Sequence, residues 1–278
     1  MRALLIALLF FGCTLEIFGQ DGFVKGLPQL AYWKLGDKSQ VIIVLHGGPG
    51  VQHEYLRPEL DSLNKFCTVI FYDQRGCGRS QQDTTYVWQE HVKDLKRVIK
   101  TFSPKKKVFL IGSSWGSTLA MIYAYKNPED IRGIILTGTY HWQGNNEVYR
   151  KKFYQPLVQS HRQIVTETGT LRRDNIDGST CEETITIFKE IEMYTDAPSF
   201  ETRESFVSAP IVDSLRSVIV PVLIFNGSKT CQIDCADEYM NIFAKAELFT
   251  IKGACHDPWM SDPALFVAAC NRFISKNK

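Results

Sequence analysis

The sequence predicts an α/β fold built on a mostly parallel sheet, and three observations carry that prediction. Apolar runs such as Val41-Ile42-Ile43-Val44-Leu45 and Thr68-Val69-Ile70-Phe71-Tyr72 are continuous rather than alternating, as strands covered on both faces require. Helical patterns fall between these runs, so strand and helix alternate along the chain. One apolar run, Val108-Phe109-Leu110-Ile111, leads into Gly112-Ser113-Ser114-Trp115-Gly116 and then directly into a helical pattern.

The 278 residues are 44% hydrophobic and 22% charged, which suits one packed domain carrying an insertion. Net charge is +2, and the compact basic run Lys105-Lys106-Lys107 precedes a strand, where it reads as a solvated loop. Nothing in the charge pattern points to nucleic acid. Met1-Arg2 followed by apolar Ala3 to Gly12 reads as a secretory signal over residues 1–20, too short to span a bilayer stably. The mature chain then starts around Asp21 and is exported, to a periplasm or to the medium. The alternative is a lipoprotein acylated at Cys13, although Phe10 and Phe11 fit that processing motif poorly.

Taken in order, Leu30 to Leu35 reads as an early strand and Gly36-Asp37-Lys38-Ser39 turns the chain. Val41 to Leu45 is a buried strand ending in His46-Gly47-Gly48-Pro49-Gly50, and a helix is expected through Glu54 to Lys65. The strand Thr68 to Tyr72 ends in Asp73-Gln74-Arg75-Gly76-Cys77-Gly78-Arg79-Ser80. Trp88, Val92, Leu95, Val98, Ile99 and Phe102 recur at helical spacing. After the helix that follows Gly116, Asn127-Pro128 stops the chain's helical course and Ile134-Ile135-Leu136 is the next strand. Residues 140–209 lack buried strand runs and carry helical stretches at Val148 to Thr168 and Thr180 to Tyr194. They read as a helical cap over the sheet edge where substrate enters, inserted into a core of residues 21–139 and 210–278. Strands at Val222 to Phe225 and Leu248 to Ile251 flank a helix from Ala236 to Lys245. The last helix opens at Asp262-Pro263, where proline's missing N–H costs nothing.

A Gly-x-Ser-x-Gly at a strand-to-helix junction forces a tight turn that lifts the serine hydroxyl above the sheet. Ser114 is therefore the candidate nucleophile, and the Trp115 amide is half of an oxyanion hole. A serine hydroxyl needs a base, and the base needs an orienting acid. In an α/β-hydrolase the order is serine, acid, histidine, each at the carboxyl end of a strand. His256, just after the last strand, alone among the six histidines fits. His91 and His161 fall on predicted helices and His53 and His141 in loops, as surface or packing residues. The second oxyanion donor is assigned to the Gly48 N–H, with Gly47 as the fallback, and His46 braces the loop. The acid is expected on the loop after Gly227, where Asp234 is the nearest carboxylate; its other reading is an N-cap for the helix that follows. Asp257 adjoins His256 but is expected to point away from it.

Eight cysteines do not follow the spacing of a small disulfide scaffold. Cys231, Cys235 and Cys255 lie near the predicted catalytic loops, and an exported protein can oxidise one pair. Their spacing with His256 is not a standard zinc knuckle, so no metal and no cofactor are expected.

Together, His46-Gly47-Gly48-Pro49-Gly50, Phe71 to Ser80 and Gly112-Ser113-Ser114-Trp115-Gly116 resemble the proline iminopeptidase family of α/β-hydrolase serine peptidases, with Tyr55 and Leu56 adding to the likeness. The likeness covers about Gln40 to Gly138 and, more loosely, Pro221 to Ile274. It implies release of an N-terminal residue, often proline, from a small peptide or amide substrate without metal. It also implies that Asp73 and Arg75 are structural. Two departures matter. Thr230 stands where the family has its aspartate, so the acid has moved to Asp234 or is absent. The cap lacks the Trp-x-x-Trp-Glu stretch that helps to bind the substrate's amino terminus. A free ammonium needs a carboxylate partner, and Glu190 and Glu192 are the first candidates, with Glu201 and Glu204 behind them. Two other readings stay open: an esterase or lactonase using the same site, and a degenerate hydrolase serving as a binding module.

Overall fold

A computed structural model describes residues 20–139, 197–198, 201–202, 205, 212–229 and 236–278. The two helical stretches expected at 148–168 and 180–194 lie outside these residues. Eight strands form one sheet: β1 (Gly22–Val24), β2 (Leu30–Leu35), β3 (Val41–Leu45), β4 (Thr68–Tyr72), β5 (Val108–Ser113), β6 (Ile131–Thr137), β7 (Val222–Gly227) and β8 (Ala246–Ile251), in the spatial order β1-β2-β4-β3-β5-β6-β7-β8. From β4 through β8 every pairing is parallel; β1 and β2 join antiparallel at one edge.

The continuous apolar runs are where both faces are covered. Val41, Ile43 and Leu45 of β3 face one core cluster while Ile42 and Val44 face the other. All five residues are buried, each contributing about 1.5–3 kcal/mol through removal from water. Helices α1 (Trp88–Phe102) and α2 (Trp115–Lys126), together with α3 (Val212–Leu215) and α4 (Ala236–Ile242), supply side chains to the first cluster. The second takes Trp259 of α5 (Pro258–Ser261) and the apolar face of α6 (Pro263–Lys276). Residues 115–124 of α2 are all buried, so this helix is wrapped by the fold rather than lying on it. Helix α6 starts as expected: Asp262 caps it, its carboxylate accepting from the Leu265 N–H at 2.9 Å, with Pro263 first in the helix.

One expected element takes another form. The segment 54–65 is two 3₁₀ turns, His53–Leu56 and Glu59–Lys65, rather than one α-helix. Pro58 lies between them; it has no N–H to give, and it biases Arg57 to the extended φ −110°, ψ 153° seen there.

The parallel register aligns the strand ends. Leu45 pairs with Gly112 and Ser113 with Thr137. His46, Ser114 and Gly138 therefore leave one edge of the sheet side by side, and the chain after β8 returns to it. Strand order reverses between β3 and β5, the place where open α/β sheets bind their ligands. No helix among the described residues is long and apolar enough to cross a membrane.

Candidate active site

Ser114 sits between β5 and α2 at φ 54°, ψ −116°, the one non-glycine residue with positive φ among those described. An L-residue adopts that backbone only where its surroundings hold it there. The surroundings are the two glycines. A Cβ on Gly112 would overlap the backbone of Gly116. One on Gly116 would come 2.7 Å from the Leu45 carbonyl carbon and 2.9 Å from the His46 oxygen. The Ser114 N–H is tied to the Thr137 carbonyl oxygen at 2.9 Å, and its own carbonyl accepts from the N–H groups of Ser117 and Thr118. Trp115 thus opens a twelve-residue helix, whose first-turn amides favour negative charge.

His256 reaches the same place from the loop after β8. Gly138, at φ 57°, has no side chain because the imidazole occupies that space: a Cβ there would lie 2.8 Å from both Cε1 and Nε2 of His256. The Nε2 edge of the ring therefore lies against the residue that follows Thr137, whose carbonyl holds Ser114. Both side chains are half-buried.

The glycine loop after β3 completes the arrangement. A Cβ on Gly47 would lie 3.2 Å from Ser114 Cβ and 3.1 Å from the Ser113 oxygen, so this backbone packs directly on the elbow. The Gly47 N–H donates to Tyr55 Oη at 2.7 Å. The N–H of the fallback oxyanion donor is thus engaged, while Gly48 sits at φ 105°, a conformation that favours glycine. His46 does brace the loop. Its Nε2 accepts from the Gln74 N–H at 2.9 Å and its Nδ1 donates to the Gly47 oxygen at 2.9 Å, which fixes one neutral tautomer. Burial draws its pKa down to about 4, in keeping with that form.

Gln74 is a site residue that sequence reasoning missed. Its amide donates to the His46 carbonyl at 2.8 Å and accepts from Trp115 Nε1 at 2.8 Å, joining oxyanion loop and elbow. Asp73 anchors the turn beside it, accepting from the His53 N–H, His53 Nδ1 and the Arg79 N–H. Burial opposes its ionisation, but the hydrogen bonds and charges around it hold the carboxyl below its ordinary pKa. Arg75 is buried, with Nε on Asp94 at 2.7 Å and Nη1 on Asp83 and the Thr85 carbonyl.

A family profile for the alpha/beta hydrolase fold matches residues 40–163. A proline iminopeptidase of Thermoplasma volcanium is 38% identical over 124 residues, which are 43% of this chain and 42% of the relative. A second, of Lactobacillus helveticus, is 33% identical over 163 residues, 52% of this chain and 54% of the relative. The chain thus spans about half the length, or less, of the curated relatives it matches. Among solved structures, an esterase of Thermogutta terrifontis superposes with a TM-score of 0.72 at 20% identity, covering 90% of this chain and 94% of that one. A proline iminopeptidase of Mycobacterium smegmatis gives 0.64 at 17%, covering 93% and 98%.

The chain has the α/β-hydrolase fold.

In this fold Ser114 and Trp115 at the elbow, the loop carrying Gly47 and Gly48, and His256 beside Gly138 lie at the carboxyl edge of the sheet. Asp234, Glu190 and Glu192 lie outside the described residues, as do Thr230 and Glu204. Glu201 is described: it accepts from Thr85 Oγ1 at 3.0 Å, on the segment that follows β4. Neighbouring Thr202 donates to the Tyr86 carbonyl and contacts His91 Nε2, while Ser205 Oγ accepts the Trp88 N–H at the start of α1. Glu201, Thr202 and Ser205 are therefore fastened to the segment that leads into α1.

His53 and His91 are buried packing residues as expected, His53 paired with Asp73 and His91 edge-on to the Trp115 ring. Cys255 is disulfide-bonded, whereas Cys67, Cys77 and Cys270 are free and buried, their thiols held protonated by burial. Among the described residues no group of three His, Cys, Asp or Glu is placed to hold a metal ion.

Proposed function

We propose that this protein is a serine hydrolase that releases N-terminal residues from small peptides or amides, in the manner of the proline iminopeptidases. The observation that carries the reading is the strained Ser114 backbone, φ 54° and ψ −116°, with the imidazole edge of His256 over the adjoining Gly138. Strain of that kind is retained where it aims a group at a reaction. The likeness to proline iminopeptidases, 38% identity over 124 residues for that of Thermoplasma volcanium, supports the substrate class.

In the reaction Ser114 Oγ attacks the carbonyl carbon and His256 Nε2 accepts its proton. The oxyanion is met by the N–H groups of Trp115 and Gly48, a contribution on the order of several kcal/mol when both act. Collapse expels the amine, which takes the proton from His256, and water then attacks the acyl-enzyme through the same base. Asp234 orients His256, and Glu190 and Glu192 receive the substrate ammonium. Residues 1–20 serve as a secretory leader; consistent with a start near Asp21, its N–H already pairs with the Tyr32 oxygen of β2.

A panel of N-terminal-residue amides including proline, with esters and lactones as controls, tests the proposal. Turnover of amides that vanishes in Ser114→Ala is the expected result. Turnover of esters or lactones alone moves the assignment to an esterase or lactonase, and a folded protein that turns over nothing leaves a binding role. N-terminal sequencing of the exported product tests the leader.

A further inference from the structure

We propose that Tyr55 is a positioning residue, which decides which amide of the 46–50 loop faces the reacting carbonyl by holding the Gly47 N–H away from it. The inference deepens the hydrolase reading and rests on it.

The hydroxyl of Tyr55 stands where the two halves of the site meet. It accepts from the Gly47 N–H at 2.7 Å on the oxyanion loop and donates to Ser113 Oγ at 3.2 Å, the residue before the nucleophile. The direction of the first bond is fixed because an amide can only donate, and accepting it leaves the phenol's one proton for Ser113 Oγ. Tyr55 is 6% exposed, and burial holds its phenol well above its ordinary pKa. The proton is therefore present across the working pH range, and the Ser113 contact persists with it.

Its position is in turn imposed from below. The 3₁₀ turn His53–Leu56 is pinned at its first residue, where the Asp73 carboxylate takes both the His53 N–H at 3.1 Å and His53 Nδ1 at 2.8 Å. The Tyr55 ring packs near Trp259, centroids 6.3 Å apart. A ring so held presents its oxygen at one place, and the Gly47 amide must go there.

The consequence is chemical. A Gly47 N–H bound to Tyr55 Oη is not available to an oxyanion. With Tyr55 Oη present, Gly47 N–H has a buried acceptor, and the loop keeps Gly48 for the reaction. With phenylalanine there, the Gly47 N–H loses its acceptor, and the loop gains by turning that amide elsewhere.

The test compares Tyr55→Phe and Ser113→Ala with the unmodified protein. The readouts are the second-order rate of fluorophosphonate labelling, kcat and KM on the best amide, and the melting temperature. For Tyr55→Phe we expect labelling and kcat to fall about ten- to a hundred-fold, as when an oxyanion donor is misaligned. KM should stay within about threefold, since ground-state binding does not use the donor. Ser113→Ala, which leaves the Gly47 bond intact, should keep most of its activity. Wild-type rates in Tyr55→Phe would overturn the assignment. So would equal losses in both variants accompanied by a matching rise in KM, because that pattern describes packing.

Hydrogen exchange at the Gly47 amide of the unmodified protein needs no variant and no activity. Slow exchange is expected, and exchange at the rate of an open loop would overturn the proposal. An unmodified protein that takes no label would sink the hydrolase reading, while the exchange measurement would still judge the Tyr55–Gly47 bond.

Discussion

Replacing Ser114 by glycine should abolish activity and make the protein more stable. At φ 54° and ψ −116° the serine lies outside the regions open to L-residues, a strain of about 1–3 kcal/mol. Glycine meets that backbone without strain but makes the unfolded chain freer, which takes back about 0.4–1 kcal/mol. The net gain is roughly 0.5–2 kcal/mol, an upward shift in Tm on the order of a few degrees for a chain of this size. Ser114→Ala is the control, because it removes the hydroxyl and keeps the Cβ that causes the strain. Differential scanning calorimetry on both variants reads the difference. A Ser114→Gly protein no more stable than Ser114→Ala would mean that no strain is stored at residue 114, and would remove the main physical argument for its role.

Three other expectations follow from particular contacts. Gly116→Ala puts a Cβ 2.7 Å from the Leu45 carbonyl carbon, so β3 or α2 must move by about 1 Å; we expect about 1–3 kcal/mol of destabilisation in urea and roughly a hundred-fold slower labelling. Gly36→Ala, at φ 79° but with no neighbour nearer than 3.5 Å, should lose about 1–2 kcal/mol and no labelling rate. Arg75→Lys cannot reproduce the fork onto Asp94, Asp83 and the Thr85 carbonyl, and urea unfolding should show a loss of about 3 kcal/mol. Stability should also fall with acid. Burial lowers His46 to about 4 and His91 to about 3, so between about 6.5 and 4 the unfolded chain takes protons that the folded chain refuses. The slope is up to about 1.4 kcal/mol per pH unit for each histidine. His91→Gln should flatten it by one proton, and an unchanged slope would show that His91 titrates in the fold.

Much of the architecture was legible because burial on both faces leaves a mark in sequence. Val41–Leu45 and Thr68–Tyr72 were readable to the residue since nothing polar interrupts them. The β8 strand was caught in its last four residues of six, because an edge strand mixes exposed and buried positions. The β1 strand, three residues long and held by backbone pairing to β2, carries no side-chain signal. Pro58 was in plain view, and giving it weight would have split the helix expected over 54–65.

At the site, Ser114, His256 and the two glycines of the elbow were legible because each answers to a local rule. The contacts made by Gln74, Tyr55 and Ser205 were not. Their partners lie 41, 58 and 117 residues away in Trp115, Ser113 and Trp88, and only the register of the sheet brings them together. The acid stays an inference from sequence, since Asp234 lies outside the described residues.

The measurement to make first is peptide mapping of the protein after reaction with a fluorophosphonate. A single adduct on Ser114, absent from Ser114→Ala and slowed at least a hundred-fold in His256→Ala, is the predicted result. An adduct on another residue, or none on folded protein, would contradict the assignment of this edge of the sheet as a hydrolase active site.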